Sequence, residues 1–353
     1  MISPKILNIF FSDCEISDVA KYGDGHINNT YLVSTSKGKF ILQQVNHKVF
    51  NIINLINNYD YVINSASKHS TFEKLFPGFI KDKNGLVHFI DSDQSAWRVN
   101  EFIDKSITYS ISPNTSITQR AGNAMGKFQL FLTGLNPKEF KDTIPDFHNP
   151  RRRLNEFEFA LNNADKVIRH SANTEIKFVL ENKSIAIKMA NILASNLLPD
   201  RITHNDTKLE NFLFDNASNK TYVIDLDTIM KGSLLFDFGD MVRSITTNAR
   251  EDEKDLAKVT FRIDHFQALC QSYFQSIRSI ISPAEKDNIL LGVHSIIFIQ
   301  GIRFLSDYIS GNKYYKFDYP THNLIRCRTQ FKLLEEILKN NSKLENIISS
   351  VLQ

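Results

Sequence analysis

The chain has 353 residues, of which 42% are hydrophobic and 23% charged, an ordinary composition for a globular protein with one large or two packed domains. Its net charge of +3 combines 42 basic and 39 acidic residues, which argues against the strongly basic surface of a nucleic-acid-binding protein. The three cysteines are far apart and form no CxxC pair, so neither a disulfide framework nor a zinc site is indicated.

The apolar run in the first fifteen residues is too short for a signal peptide. By inspection, no stretch approaches the roughly 18–20 apolar residues that a membrane helix needs. We therefore expect a cytoplasmic monomer whose partner is a small molecule, with neither nucleic acid nor membrane involved.

The first hundred residues predict strands and one helix. Alternating apolar residues predict strands at 30–34, 39–45, 86–90 and 97–103. Helical spacing of apolar residues predicts a helix over 51–65. We predict a small antiparallel β lobe with one helix over residues 1–103.

After residue 104 the periodicity becomes helical. Predicted helices cover 118–132, 152–169, 182–196, 257–281, 288–310 and 324–339. Residues 211–226 interrupt them with a predicted hairpin. The fold class is therefore predicted to be α+β, with a larger, mainly helical lobe over 104–353 and a ligand cleft between the two lobes.

The segment THNDTKLENFLFD, residues 203–215, opens that hairpin and carries the chemistry. Asp206 is followed by Lys208, by Asn211 and, after a buried-looking strand, by Asp225. Phosphoryl transfer needs a carboxylate to accept the proton of the attacking hydroxyl, which we assign to Asp206, and a cation near the transferred group, which we assign to Lys208. Mg²⁺ needs hard oxygen ligands, which Asn211 and Asp225 supply.

The spacing matches the HRDLxxxxN catalytic loop of protein kinases, with Asn205 in the arginine position and His204 supporting the loop. Residues 236–239 contain the string DFG, but they lie too far downstream to supply the metal ligand. We therefore keep the metal at Asp225, with Asp227 as a second candidate, and expect Asp237 and Asp240 to connect loops through backbone hydrogen bonds. The alternative is a polar turn that ends in an unrelated strand acid.

Residues 22–30, YGDGHINNT, precede the first clear strand. Gly23 and Gly25 would let backbone amides approach phosphates, and Thr30 would add a hydroxyl. The same glycine spacing also marks ordinary hairpin turns. The end of the strand at 97–103 would present backbone groups of Glu101 and Ile103 to adenine.

A kinase normally has a lysine on its third strand, paired with a helix glutamate. Here Gln43 occupies that position, and Asp60 is the only acidic residue of the helix at 51–65. The lysine–glutamate pair is therefore absent, and phosphate charge must be met by Mg²⁺, Lys208 and backbone amides.

Nine segments in order make the chain resemble the aminoglycoside phosphotransferase and choline kinase superfamily, and within it the N-acetylhexosamine 1-kinases. They are YGDGHINNTYLV, KFILQQVN, WRVNEFID, DTIPDFHN, THNDTKLENFLFD, VIDLDT, LFDFGDMVR, RFLSDYISGNKYYK and HNLIRCRTQ. The resemblance implies a bilobal protein-kinase-like fold, ATP with Mg²⁺, and transfer to the anomeric hydroxyl of a sugar.

The resemblance also implies roles for single residues. It supports Asp206 as base, and it places Arg303, Tyr314 and His26 at positions that hold the amino sugar. Gln44 stands where the family usually has a basic residue, which bears on nucleotide affinity.

Other interpretations stay open at this point. Arg303 and Asp307 are four residues apart, so they are also consistent with a surface ion pair on a helix. Another small-molecule kinase, acting on an aminoglycoside, choline or another sugar, would share the same loop. A catalytically silent pseudokinase and a metal hydrolase are the alternatives of other classes.

Overall fold

The computed structural model describes residues 2–23, 27–68 and 74–353, so the predicted Gly25 and His26 lie outside the described residues. The strands in chain order are β1 Ile16–Lys21, β2 Asn29–Thr35, β3 Gly38–Val45, β4 Phe79–Ile80, β5 Phe89–Ile90, β6 Ala96–Glu101, β7 Ser106–Ile107, β8 Arg201–Thr203, β9 Phe212–Asp215, β10 Lys220–Val223 and β11 Met230–Gly232. The α-helices are α1 Pro4–Phe10, α2 Ile52–Ala66, α3 Thr115–Thr133, α4 Pro150–Asn162, α5 Lys166–Ser171, α6 Asn173–Asn182, α7 Ser184–Ala194, α8 Leu234–Ile245, α9 Ile263–Ile277, α10 Pro283–Asp287, α11 Ile289–Ile309, α12 His322–Lys339 and α13 Asn341–Leu352.

The chain divides into two compact units. Unit 1 comprises Met1–Ile107, Leu135–Pro145 and Leu213–Lys231, and unit 2 comprises Thr108–Gly134, Asp146–Phe212 and Gly232–Gln353. Unit 1 holds the antiparallel sheet and unit 2 most of the helices, which confirms the predicted α+β class. The predicted division of the chain at residues 103 and 104 stays a prediction.

The main sheet of unit 1 has the strand order β1-β2-β3-β6-β4, with β5 also paired to β6, and its described pairs are antiparallel. The predicted hairpin is present, and Thr35 pairs with Gly38 at its turn. In the same register Gln43 pairs with Thr30 on one side and with Arg98 on the other. These three residues therefore form one row across the sheet.

One face of this sheet is covered by α1, a helix that the sequence analysis did not predict. Ser3 caps it, since its hydroxyl accepts a hydrogen bond from the backbone of Lys5, and Pro4 occupies its first turn. The buried core on this face consists of Ile6, Ile9, Phe10, Phe11, Val33, Leu42, Trp97 and Val99.

In unit 2, α11 packs against α8, α12 and α4, and α3 packs against α9. Among the described residues, α11 is the one helix long and apolar enough to cross a membrane, so the expectation that no such stretch exists was wrong. Most of it is buried within the protein, as in the central helix of a helical core.

Several predicted helices differ from those observed because local turn chemistry interrupts them. The predicted helix at 152–169 is two helices, α4 and α5, and Asp165 caps the second one. The predicted helix at 182–196 corresponds to α7, and α6 precedes it. Helix α8 was not predicted, although its apolar residues lie on one face, and its polar side chains Asp237, Asp240 and Arg243 are buried as well.

Candidate active site

The predicted catalytic loop follows β8 in unit 2, and a carboxylate from α8 holds its backbone. Asp237 accepts hydrogen bonds from His204 N–H at 2.9 Å and from Asn205 N–H at 2.7 Å. Asn205 has a φ of +65°, which is uncommon for a residue other than glycine. The predicted role of Asp237 in connecting the loop through backbone hydrogen bonds is confirmed. Burial raises the pKa of its carboxyl to about 7, against the effect of the two N–H donors.

Two histidines support the loop through hydrogen bonds to its backbone. His204 is fully buried, and its Nδ1 accepts the Asp206 N–H at 3.2 Å. His148 donates from Nε2 to the Asn205 carbonyl at 2.7 Å, and burial lowers its pKa to about 3. The sequence analysis missed His148, although the quoted segment DTIPDFHN contains it.

Asp206, Lys208 and Asn211 come together as predicted. Lys208 Nζ lies 3.2 Å from Asp206 Oδ2, and Asn211 Nδ2 donates to the same oxygen at 2.8 Å. Burial alone would raise the pKa of Asp206, but Lys208, His204 and Asn211 together hold it below its ordinary value. The carboxylate is therefore ionised at neutral pH and is able to accept a proton.

Asn211 is oriented by two donated hydrogen bonds. Its Nδ2 also donates to the Asp206 carbonyl at 2.7 Å, so the amide oxygen points away from these contacts. An amide oxygen is a hard ligand of the kind Mg²⁺ prefers. The predicted metal ligand Asn211 is therefore held in a suitable orientation.

Asp240 has a different role from the predicted one. It forms an ion pair with Arg243, whose Nε lies 2.7 Å from Asp240 Oδ1, and Arg243 also pairs with Glu251 at 3.0 Å. No described backbone N–H bonds to Asp240, so the expectation that it connects loops through backbone hydrogen bonds was wrong. Its proximity to Arg243 in one helix turn explains the pairing.

Asp225, the second predicted metal ligand, lies in unit 1 after β10. Its φ of +61° and ψ of 58° place it in the left-handed region, and it is exposed. Asp227, two residues later, is 1% exposed. Its Oδ1 lies 2.5 Å from Arg98 Nη1 and accepts from the Tyr59 hydroxyl at 3.0 Å, and its Oδ2 accepts from Asn28 Nδ2 at 2.6 Å. These donors occupy the carboxylate that we had considered as a second metal ligand.

The predicted metal ligands are an amide oxygen and a carboxylate oxygen. Among the described residues no group of three or more His, Cys, Asp or Glu side chains is suitably placed to hold a metal. The oriented amide of Asn211 in unit 2 and the exposed carboxylate of Asp225 in unit 1 are each an oxygen donor of the kind that a hard cation prefers.

The predicted nucleotide residues of unit 1 have definite partners. Gln43 accepts from Arg98 Nε at 3.0 Å and donates to the Thr30 hydroxyl at 3.3 Å, so both ends of its amide are used. Gln44 lies on the opposite face, since side chains alternate along a strand, and it accepts from Asn29 Nδ2 at 3.1 Å. The side chain of Gln44, which replaces the basic residue usual in the family, therefore points away from the sheet face that carries the Gln43 side chain.

The remaining predicted nucleotide residues lie at turns and strand ends. Gly23 has a φ of +70°, with open space where a Cβ would be. Glu101 ends β6 and donates its N–H to the Gly78 carbonyl at 2.8 Å. The Ile103 carbonyl accepts from the Ser106 hydroxyl at 2.6 Å. Their contacts to a nucleotide stay predictions.

The predicted sugar residues Arg303 and Tyr314 lie in unit 2. The Arg303 guanidinium stacks on Phe147, 4.9 Å from the ring centroid, and lies 5.6 Å from the Tyr315 centroid. Tyr314 is 57% exposed and packs edge-on against Tyr315.

Arg303 does not form the alternative surface pair with Asp307. Asp307 is 7% exposed, and it accepts backbone N–H groups of Lys313 and Tyr314 at 2.8 Å and of Tyr315 at 3.0 Å. No salt bridge joins Arg303 to a carboxylate in the described part of the chain. Asp307 therefore shapes the tyrosine loop.

A model of the phosphotransferase enzyme family, APH, matches residues 18–270. The chain belongs to this family. It is a small-molecule phosphotransferase, and its structure resembles the protein-kinase-like members of the group.

Solved structures share this fold at low sequence identity. A microcompartment-associated aminopropanol kinase aligns with a TM-score of 0.65 and 14% identity, covering 97% of each chain. An amicoumacin kinase, solved with AMP-PNP and Ca²⁺, aligns with a TM-score of 0.61 and 11% identity over 94% of this chain and 92% of its own. A choline kinase from Cryptosporidium parvum Iowa II aligns with a TM-score of 0.57 and 14% identity over 99% and 96%.

Proposed function

We propose that the protein is an ATP- and Mg²⁺-dependent kinase that phosphorylates the anomeric hydroxyl of an N-acetylhexosamine to give the sugar 1-phosphate. The observation that carries the choice of acceptor is Arg303, a cation without a carboxylate partner among the described residues, near the catalytic loop. Membership of the phosphotransferase family supports the reaction class.

Asp206 is the proposed general base. It would accept the proton of the anomeric hydroxyl while that oxygen attacks the γ-phosphorus and the bond to the β-phosphate oxygen breaks. The lowered pKa keeps Asp206 ionised, and an anomeric hydroxyl is more acidic than an ordinary alcohol, so a weak base suffices. Lys208, 3.2 Å from Asp206, would offset negative charge on the transferred group.

Asn211 and Asp225 are the residues proposed to hold Mg²⁺. The ion, when bound, supplies positive charge that neutralises the phosphates of ATP. Gly23, Gly25 and Thr30 are proposed to cover the phosphates, and Glu101 and Ile103 to face adenine through their backbone.

Arg303 connects to Asp206 through a short series of contacts. Its guanidinium stacks on Phe147, and the adjacent His148 donates to the carbonyl of Asn205, the residue before Asp206. The charges of Arg303 and Asp206 both act on His148. A cation on the acceptor side favours a neutral ligand rich in hydrogen-bond acceptors, such as an N-acetyl sugar, and disfavours cationic amines.

Tyr314 and His26 complete the proposed sugar site. The exposed Tyr314 ring is suited to stack on the apolar face of a sugar. His26 lies outside the described residues, and its assignment rests on the family resemblance alone.

The test is a coupled ADP-release assay with Mg-ATP and a panel of acceptors. N-acetylglucosamine, N-acetylgalactosamine, glucose, galactose and mannose form the sugar set, and choline, 1-amino-2-propanol and kanamycin form the cationic set. We expect turnover with an N-acetylhexosamine and little with the cationic compounds. Turnover confined to the cationic set would refute the sugar assignment and keep the kinase chemistry.

A protein that binds nucleotide but releases no ADP with any of the acceptors would instead fit the pseudokinase. The Asp206→Asn variant provides the matched control, because it keeps the shape of the side chain and removes the base.

A further inference from the structure

We propose that the buried Arg98–Asp227 ion pair positions the metal-ligand turn at Asp225. The inference rests on the proposed function, because that function gives Asp225 a metal ion to bind. All of the residues involved lie in unit 1.

Asp227 is an anchor rather than a metal ligand. Its two carboxylate oxygens receive hydrogen bonds from Arg98, Tyr59 and Asn28, at 2.5, 3.0 and 2.6 Å. With 1% of its surface exposed, it is inaccessible to a solvated ion. A buried carboxylate with this many donors is held firmly in one orientation.

Asp225, two residues earlier, is exposed, and its backbone lies in the left-handed region. This conformation is uncommon for a residue other than glycine, and contacts on both sides of the turn hold it here. On one side of the turn the Val223 N–H donates to the Leu75 carbonyl at 2.8 Å. On the other side Asp227 is anchored, and Asn58 Nδ2 donates to the Ile229 carbonyl at 2.8 Å. The backbone on both sides of Asp225 is therefore held by residues that are not themselves proposed as metal ligands.

Arg98 on β6 pairs with Gln43 on β3, and Gln43 is the residue that stands where a kinase has its lysine. Arg98 is 4% exposed, and its guanidinium stacks 4.7 Å from the centroid of the Tyr59 ring. Its Nε donates to Gln43, which in turn donates to Thr30. The Arg98 guanidinium is therefore bound entirely within unit 1. Through Gln43 on β3 it connects the metal-ligand turn to Thr30 on β2, the strand that follows the predicted phosphate loop.

The test measures binding of AMP-PNP by calorimetry, with and without Mg²⁺ and in the absence of any sugar. The informative variant is Arg98→Met combined with Asp227→Asn, since removing both charges avoids leaving one buried and unpaired. Groups that orient a metal ligand typically contribute 10–100-fold to metal affinity, so we expect the Mg²⁺-dependent gain in affinity to fall by about that factor. Affinity without Mg²⁺ should stay unchanged. Thermal unfolding by circular dichroism checks that the variant is folded.

Two further variants separate positioning from general structure. Tyr59→Phe removes a single hydrogen bond to Asp227 and should give a smaller loss in the same direction, so it serves if the double variant does not fold. Asp225→Asn should abolish the Mg²⁺-dependent gain in affinity. Combining it with Arg98→Met and Asp227→Asn should therefore produce no further loss.

A double variant that is folded and keeps the full Mg²⁺-dependent gain would overturn the inference alone. Equal losses with and without Mg²⁺ would also overturn it, because they indicate a structural role only. A wild-type protein whose nucleotide affinity does not depend on Mg²⁺ would overturn the proposed function, and this inference with it.

Discussion

Replacing Asp237 by alanine removes the acceptor for two buried backbone donors of the catalytic loop. The side chain is fully buried, and it accepts the N–H groups of His204 and Asn205 at 2.9 and 2.7 Å. Each buried donor left without a partner costs about 1–3 kcal/mol, so Asp237→Ala should destabilise the protein by about 2–6 kcal/mol. Asp237→Asn keeps one acceptor oxygen and should cost about half as much.

The assay is urea unfolding followed by circular dichroism, at pH 8.5. This pH is chosen because burial raises the pKa of Asp237 to about 7, and the carboxylate should be ionised in the wild type. The exposed Asp287 gives the matched control, and Asp287→Ala should stay within about 0.5 kcal/mol of the wild type. An Asp237→Ala variant that is equally close to the wild type would refute the role assigned to this carboxylate.

Three further predictions concern the base, the acceptor site and acid stability. Asp206→Asn should lower kcat by about 10²–10⁴-fold while nucleotide affinity measured by calorimetry is retained, and near-normal turnover would exclude it as base. Arg303→Met should raise the KM for N-acetylglucosamine by about 10–100-fold and leave the KM for ATP unchanged, and an equal rise in both would contradict its place in the sugar site. Burial lowers the pKa of His148 to about 3 and of His294 to about 4, so the unfolded state binds protons first as the pH falls. Their contribution to stability is present above about pH 6.5 and lost in acid; urea unfolding from pH 7.5 to 4.5 should show this loss, and His294→Gln should reduce it.

The sequence was sufficient to predict the elements that are determined by residues close together in the chain. The hairpin of β2 and β3 follows from alternating residues around the Lys37-Gly38 turn, and Gly38 has a φ of +130° there. Helix α2 begins where Asn51 accepts the N–H of Asn54, one residue after the predicted start. The Asp206, Lys208 and Asn211 group lies within six residues, so the spacing alone was enough to indicate it.

Contacts between distant residues could not be predicted in the same way. Arg98 and Asp227 are 129 residues apart in the sequence, and neither residue type alone indicates a pair. His148 reaches Asn205 across 57 residues. Such contacts depend on how complete elements pack, which periodicity and spacing do not encode.

The central claim is that the phosphoryl group is transferred to the anomeric oxygen of an N-acetylhexosamine. Proton-coupled phosphorus NMR of the product formed from Mg-ATP and N-acetylglucosamine tests this claim most directly. We expect a new phosphate resonance split into a doublet by the single anomeric proton. A resonance split by the two protons of a CH₂ group, which marks a 6-phosphate, would contradict the account, and so would the absence of any sugar phosphate.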